Sequence, residues 1–227
     1  MTNFFLSILA FLLAHVVPPA PPVRNRLIAL LGRRAYLTGY SFLSTVLLGW
    51  IIVSARSAPV VYLWYPAPWQ ALVPVVAMPF AFWLVAAGLA ADNPASVTLR
   101  RRNGRQGAIV AITRHPVLWG FLIWALAHVP PNGDLVSLIL FGAMALLALS
   151  GMAVLDRRAR RRLGEPAWQT VLAETSVFPF AALSAGRARF RPDRPFIVWS
   201  LAGFAACFWF LFQGHRMLIG VDPLAWF

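Results

Sequence analysis

Residues 135–162 read LVSLILFGAMALLALSGMAVLDRRARRR: an uncharged run through Leu155, then Asp156, then Arg157, Arg158, Arg160, Arg161 and Arg162. An uncharged apolar run of about 20 residues is long enough as a helix to cross a ~30 Å hydrocarbon core. A block of arginines at its end marks the cytoplasmic boundary. Five further stretches have this character, at roughly 2–19, 35–55, 69–91, 115–133 (able to start near 107) and 195–215. None shows the sustained alternation of polar and apolar residues that a membrane barrel requires. The sequence therefore predicts an all-α polytopic membrane bundle of about six transmembrane helices, forming one integral membrane domain over 1–227.

Composition agrees. The chain of 227 residues is 60% hydrophobic and 12% charged, and its mean hydropathy of +0.70 excludes most soluble folds. One cysteine, Cys207, leaves no internal disulfide to form and reads as helix packing.

All 20 basic residues are arginine, against 7 acids. Arg24, Arg26, Arg33 and Arg34 follow the first stretch; Arg100, Arg101, Arg102, Arg105 and Arg114 lie around the third connection. Arg157 to Arg162, then Arg187, Arg189, Arg191 and Arg194, lie between the fifth stretch and the sixth. With six spans, only Arg56 and Arg216 fall on the opposite face. The positive-inside rule then puts both termini outside and three basic connections in the cytoplasm. Met1 to His15 has no basic n-region, so the first stretch is not expected to be a secretory signal. The arginine runs set topology and hold anionic headgroups, and Trp50, Tyr62, Trp64, Tyr65 and Trp69 form an outer aromatic belt. Nucleic acid is not an expected partner; the lipid bilayer is.

Pro130-Pro131-Asn132-Gly133-Asp134 predicts a tight turn and hence an antiparallel hairpin of the fourth and fifth stretches. Trp168, Val171 and Leu172, at i, i+3 and i+4, predict a short amphipathic helix lying on the membrane.

Candidate chemistry rests on histidines. His15, His115 and His128 lie within or at the edge of spans, where ionisable groups are functional suspects. His215 sits at the outer margin. The seven acids all lie in connections or at span ends, which argues against a hard-metal site and against proton transport through a buried carboxylate. Imidazoles from separate helices suit the two axial positions of a haem iron, with Arg114 or Arg33 and Arg34 at the boundary where propionates emerge. Helix packing through neutral histidines is the bland alternative.

The motifs Gly32…Tyr36…Tyr40-Ser41, Thr113-Arg114-His115-Pro116…Trp119-Gly120, Trp124-Ala125-Leu126-Ala127-His128, Asn132-Gly133-Asp134, Asp156-Arg157-Arg158 and Gly164-Glu165-Pro166-Ala167-Trp168…Thr175-Ser176-Val177-Phe178-Pro179-Phe180 resemble the NnrU family. The resemblance covers a core of about 5–183 and leaves the stretch at 195–215 as an additional C-terminal helix. It implies a bacterial inner-membrane protein associated with nitrite and nitric oxide reduction, working with a respiratory partner or a lipophilic substrate. It also implies a relation to 15-cis-ζ-carotene isomerase, a haem-b enzyme. Carried over, it points to His15 and His128 as the axial pair; the predicted topology places His115 closer in depth to His15 and so keeps it as a competing second ligand, with Arg114 expected to pair with a propionate. A cysteine proposed as an alternative ligand in the plant isomerase falls at Ala125. Arg114-His115-Pro116, the hairpin and the later Gly-x-x-x-Trp…Pro segment also resemble, more distantly, the isoprenylcysteine carboxyl methyltransferases. That likeness implies S-adenosylmethionine as cofactor, although their acidic pair is replaced here by Asp156 and arginines. A non-catalytic membrane accessory protein is the third reading.

Overall fold

Proline and aspartate set where the helices begin. In the computed structural model, which describes residues 1–100 and 106–227, proline occupies the first turn of five helices. Its missing N–H costs nothing there, and its fixed φ suits the helix. Asp134 caps the longest helix by accepting from the Ser137 N–H at 2.9 Å and the Ser137 hydroxyl at 2.6 Å. Asp193 caps the last long helix through the Phe196 N–H at 2.8 Å.

The helices in chain order are α1 (Thr2–Val16), α2 (Pro21–Leu31), α3 (Arg33–Arg56), α4 (Pro68–Ala90), α5 (Ala108–Ile112), α6 (Pro116–His128), α7 (Leu135–Leu163), α8 (Glu165–Glu174), α9 (Ala181–Ser184) and α10 (Arg194–Trp209). A π-helical turn over Phe210–Gly214 then leads into α11 (His215–Ile219). Among the described residues the only extended pairing is the isolated bridge between Tyr62 and Asp134. The all-α expectation therefore holds.

Among the described residues, four helices are long and apolar enough to cross a membrane: α3, α4, α7 and the continuous run Arg194–Ile219. A fifth span exists if α1 and α2, bent by 80° at their junction, count as one. The expected six differ from this for a local reason. Val17-Pro18-Pro19-Ala20-Pro21-Pro22 breaks the first stretch, because proline cannot continue the hydrogen-bond ladder. The fourth stretch yields a 13-residue α6, about 20 Å long at 1.5 Å per residue. Extended backbone at Thr113 precedes it, and Pro130-Pro131 follows. The long helices turn large apolar side chains outward, Phe42 at 72%, Leu146 at 68% and Leu201 at 65% exposure, as lipid-facing surfaces do. The fold is that of a multi-pass helical membrane protein.

The described residues group into two compact units. The first holds residues 1–64 with 134–140. Here α1 and α3 pack antiparallel: Trp50 donates its indole N–H to Asn3 at 3.1 Å, and the His15 ring meets the edge of Tyr40 at 5.9 Å near the other end. Between them the hydroxyls of Ser7 and Ser54 bond each other at 2.7 Å, both fully buried beside Phe4 and Ile51.

The second unit holds residues 65–133 and 141–227. Its centre is α4, which α6 and α10 approach very closely. A Cβ on Gly120 of α6 would lie 2.7 Å from the Ala81 carbonyl of α4, and one on Gly203 of α10 would lie 3.0 Å from the Phe82 carbonyl. Small residues at such crossings let helix backbones meet where no hydrophobic effect drives them together. Trp83 adds a hydrogen bond to Ser200 at 2.9 Å. The expected α6–α7 hairpin is present. Phe141 packs on His128 at 5.2 Å between ring centroids, Leu118 touches the position of Gly151, and His115 reaches Asp156, an antiparallel register along the pair.

One expectation is corrected. The helix around Trp168 forms as α8, yet its apolar side does not lie on lipid: Trp168 and Val171 are each 5% exposed and pack with Ala95 and Ala159. Ala95 and Ala159 offer a protein surface that the i, i+3, i+4 pattern could not distinguish from a bilayer.

Candidate functional site

The polar chemistry of the second unit converges at one end of the α6–α7 hairpin. Asn93 and Ser96 lie in the loop after α4, Thr113 to His115 between α5 and α6, and Asp156 about two turns before the end of α7. Trp168 sits on α8, and Thr175 to Phe180 follow it. Asp156 accepts from both neighbours of the Arg-His pair: His115 Nε2 at 2.9 Å and Arg114 Nη1 at 3.2 Å. A carboxylate only accepts, so Nε2 carries the proton; in the neutral ring Nδ1 then accepts from the Ser96 hydroxyl at 2.9 Å. His115 has no exposed surface and Arg114 is 4% exposed. Burial pushes the Arg114 pKa down, Asp156 raises it and Arg187 lowers it further, while an arginine stays charged throughout the biological range. Its guanidinium lies 5.1 Å from the centre of the Trp168 ring, a cation–π contact.

Backbone is tied into the same layer. Asn93 donates to the Arg114 carbonyl at 2.9 Å and accepts from the N–H groups of Ala95 and Ser96 at 2.9 and 3.1 Å. The Thr113 hydroxyl and the Trp119 indole both donate to the Val177 carbonyl, at 2.7 and 2.8 Å. The Arg114 and Phe180 N–H groups bond Ser176 and Ile112 carbonyls at 2.8 and 2.7 Å. Arg187 caps the end of α8 by donating to the carbonyls of Leu172, Ala173 and Thr175 at 2.9, 3.0 and 3.2 Å.

Ser96, His115 and Asp156 form a hydroxyl–imidazole–carboxylate string, the constellation of serine hydrolases. Here the Ser96 N–H is already bonded to Asn93 and the imidazole is sealed from solvent. The string ties the loop after α4, the link between α5 and α6, and α7 together. Both His115 nitrogens are engaged, so metal ligation or contact with a soluble nucleotide requires breaking a bond that the fold makes. Arg114 is likewise held within the protein rather than at its surface.

His15 and His128 are built differently, and alike. His15 Nδ1 donates to the Phe11 carbonyl four residues earlier at 2.8 Å, and its ring stacks on Phe11 at 4.1 Å. His128 Nδ1 donates to the Trp124 carbonyl, also four residues earlier, at 2.7 Å, with its ring against Trp124 and Phe141. Each bond fixes the tautomer that leaves the Nε2 lone pair available, the arrangement by which second-shell carbonyls orient ligand histidines. Both side chains are half-buried near the end of an apolar helix. His215 instead bonds the Val221 carbonyl at 2.8 Å. Among the described residues no group of three or more His, Cys, Asp or Glu could hold a metal ion. An axial ligand of a haem is a single imidazole nitrogen, and each of these two histidines on its own offers one.

Sequence reasoning did not single out Asn93 or Ser96. Their signal was Asp92-Asn93-Pro94-Ala95-Ser96, a polar loop directly after an apolar run. Asp156 stands out in the sequence as the acid that ends an uncharged run and as part of a motif, but not as a partner of His115.

Fold and site together define a polytopic helical membrane protein in which a buried Arg-His pair is locked to the half-buried Asp156. Its sequence matches the model described as "NnrU protein" over residues 3–223, and the chain belongs to that family. The match takes in α10 and α11. The chain is also similar to two chloroplastic 15-cis-zeta-carotene isomerases. That of Zea mays is 39% identical over 85 residues, 37% of this chain and 23% of that protein. That of Arabidopsis thaliana is 40% identical over 81 residues, 35% of this chain and 21% of that protein. The alignments thus span less than a quarter of each relative. No solved structure matches the chain significantly.

Proposed function

We propose that this chain is a haem-b-binding protein of the bacterial cytoplasmic membrane, with both termini outside. Its proposed role is redox or isomerisation chemistry on a lipophilic substrate, associated with nitrite and nitric oxide reduction. The observation that carries the proposal is the shared arrangement of His15 and His128, each presenting Nε2 with its Nδ1 bonded to its own helix. In this reading those two imidazoles are the axial ligands. The likeness to 15-cis-zeta-carotene isomerases supports isomerisation as the chemistry. A haem supplies electron transfer when both axial ligands hold firmly, and substrate activation when one is labile. His115 and Arg114 keep the polar end of the bundle assembled and contribute no ligand.

The test is an absorption spectrum of protein purified after expression with ample haem supply. A Soret band is expected in the parent protein, lost in His15→Ala and His128→Ala and retained per folded molecule in His115→Ala. Folded, haem-supplied protein without that band sinks the proposal. So does haem loss in His115→Ala with the fold intact. S-adenosylmethionine binding at micromolar affinity by haem-free protein would replace it with methyl transfer. A carbon monoxide or nitric oxide shift of the spectrum would identify an accessible iron and favour isomerisation over plain electron transfer.

A further inference from the structure

The arginine run after the α7 span is sorted by the fold into different tasks. Arg162 donates to the Pro94 carbonyl. Arg160 pairs with Glu165 at 2.7 Å, and Gln169 donates to the other Glu165 oxygen at 2.6 Å. Those two bonds hold the Glu165 carboxyl below the usual carboxylate range, so it is ionised and both its oxygens are engaged. Arg158 is half-buried and does not line the depression described below, which leaves Arg157 and Arg161. They lie four apart on one face of α7, both are exposed, and neither makes an ion pair among the described residues. With Arg160 and Glu165 they line an open depression of about 430 Å³. Three guanidiniums therefore share the wall with one carboxylate whose acceptors are already occupied.

The depth of this depression follows from helix length. α7 has 29 residues and at 1.5 Å per residue is about 43 Å long, against a hydrocarbon core of ~30 Å. With Leu135 at the opposite boundary, roughly the last nine residues project into the headgroup layer, and Arg157 and Arg161 are among them. What that layer offers at this height is phosphate, and a planar guanidinium fork matches two non-bridging phosphate oxygens.

We infer that Arg157 and Arg161 bind the headgroup phosphate of an anionic glycerophospholipid in the depression they share with Arg160 and Glu165. This site is independent of the haem reading. A general positive-inside attraction spreads over every arginine near the boundary. This site assigns the binding to two of them, since Arg160 shares the depression but is paired with Glu165 and Arg162 is bonded to the Pro94 carbonyl.

The test is native mass spectrometry of the full-length protein in detergent, with phosphatidylglycerol or phosphatidylcholine added. Phosphatidylglycerol adducts are expected to survive at collision energies that strip phosphatidylcholine. Arg157→Gln with Arg161→Gln should reduce retention about tenfold. Arg189→Gln with Arg191→Gln, an equal change of charge at two other exposed arginines, should leave it within twofold. Melting temperatures of both double variants verify that they fold. Equal losses in the two double variants would reduce the site to diffuse attraction and overturn it, as would retention of both lipids alike. Displacement of phosphatidylglycerol by millimolar inorganic phosphate would also overturn it, by making a free anion the ligand.

Discussion

His115 Nε2 and Asp156 Oδ1, 41 positions apart in the chain, lie 2.9 Å from each other at the polar end of the α6–α7 hairpin. The same carboxylate holds Arg114, so one side chain neutralises a buried cation and fixes the tautomer of a buried ring. Removing it leaves Arg114 uncompensated, which for a buried pair costs about 3–5 kcal/mol. Asp156→Ala should therefore lower the melting temperature of detergent-solubilised protein strongly, and Asp156→Asn by less. Haem per folded molecule should not change in either. A fall in haem content at constant folded fraction would show that the lock also serves the cofactor.

Imidazole rescue probes the proposed ligands directly. In His128→Gly the ring's volume is vacated beside Trp124 and Phe141, and added imidazole should restore the parent low-spin spectrum. The same is expected for His15→Gly. Without rescue in either variant, the two histidines serve as packing residues.

Close approach of α4 and α6 predicts an asymmetric response to adding one methyl group. At Gly120 the new Cβ would meet the Ala81 carbonyl, backbone that cannot swing aside. Gly120→Ala should cost about 1–3 kcal/mol. At Gly142 of α7 nothing lies within 4 Å of an added Cβ, and Gly142→Ala should be neutral or stabilising by up to ~1 kcal/mol. Comparing the two melting temperatures checks the crossing.

Reporter fusions test the proposed orientation. A fusion at Asn103, outside the described residues, should report the cytoplasm, and one at Gly133 the opposite side. The hairpin gives a structural reason for part of this pattern: it brings Arg114 and the 157–162 run to one end. A periplasmic signal at Asn103 would refute the orientation.

The apolar runs made the helical membrane fold legible, because a span of uncharged residues has few other uses. They did not reveal that the first run bends or that the fourth is short. Hydropathy averages over a window, whereas Pro18-Pro19 and Pro130-Pro131 act at single bonds. The candidate site was legible only in pieces. Thr113-Arg114-His115-Pro116, Asp156 and Thr175 to Phe180 were all visible as motifs, but their meeting depends on the α6–α7 register, which local sequence does not encode. Asn93 and Ser96 carry no motif of their own, and their importance comes from which carbonyl and which ring they happen to face. Trp168 was read correctly as helical and wrongly as lipid-facing, since amphipathicity identifies the buried side without naming what covers it.

The bonds that orient His15 and His128 each run to a carbonyl one turn earlier in the same helix. That makes the posture of each imidazole a property of its own segment, established as soon as that segment becomes helical during insertion. His115 is the opposite case, since its partners Ser96 and Asp156 come together only after the later segments have been synthesised. During biogenesis the chain would thus present two ready imidazoles before its polar lock could close, and the order of synthesis itself would separate capture of the proposed haem from final consolidation.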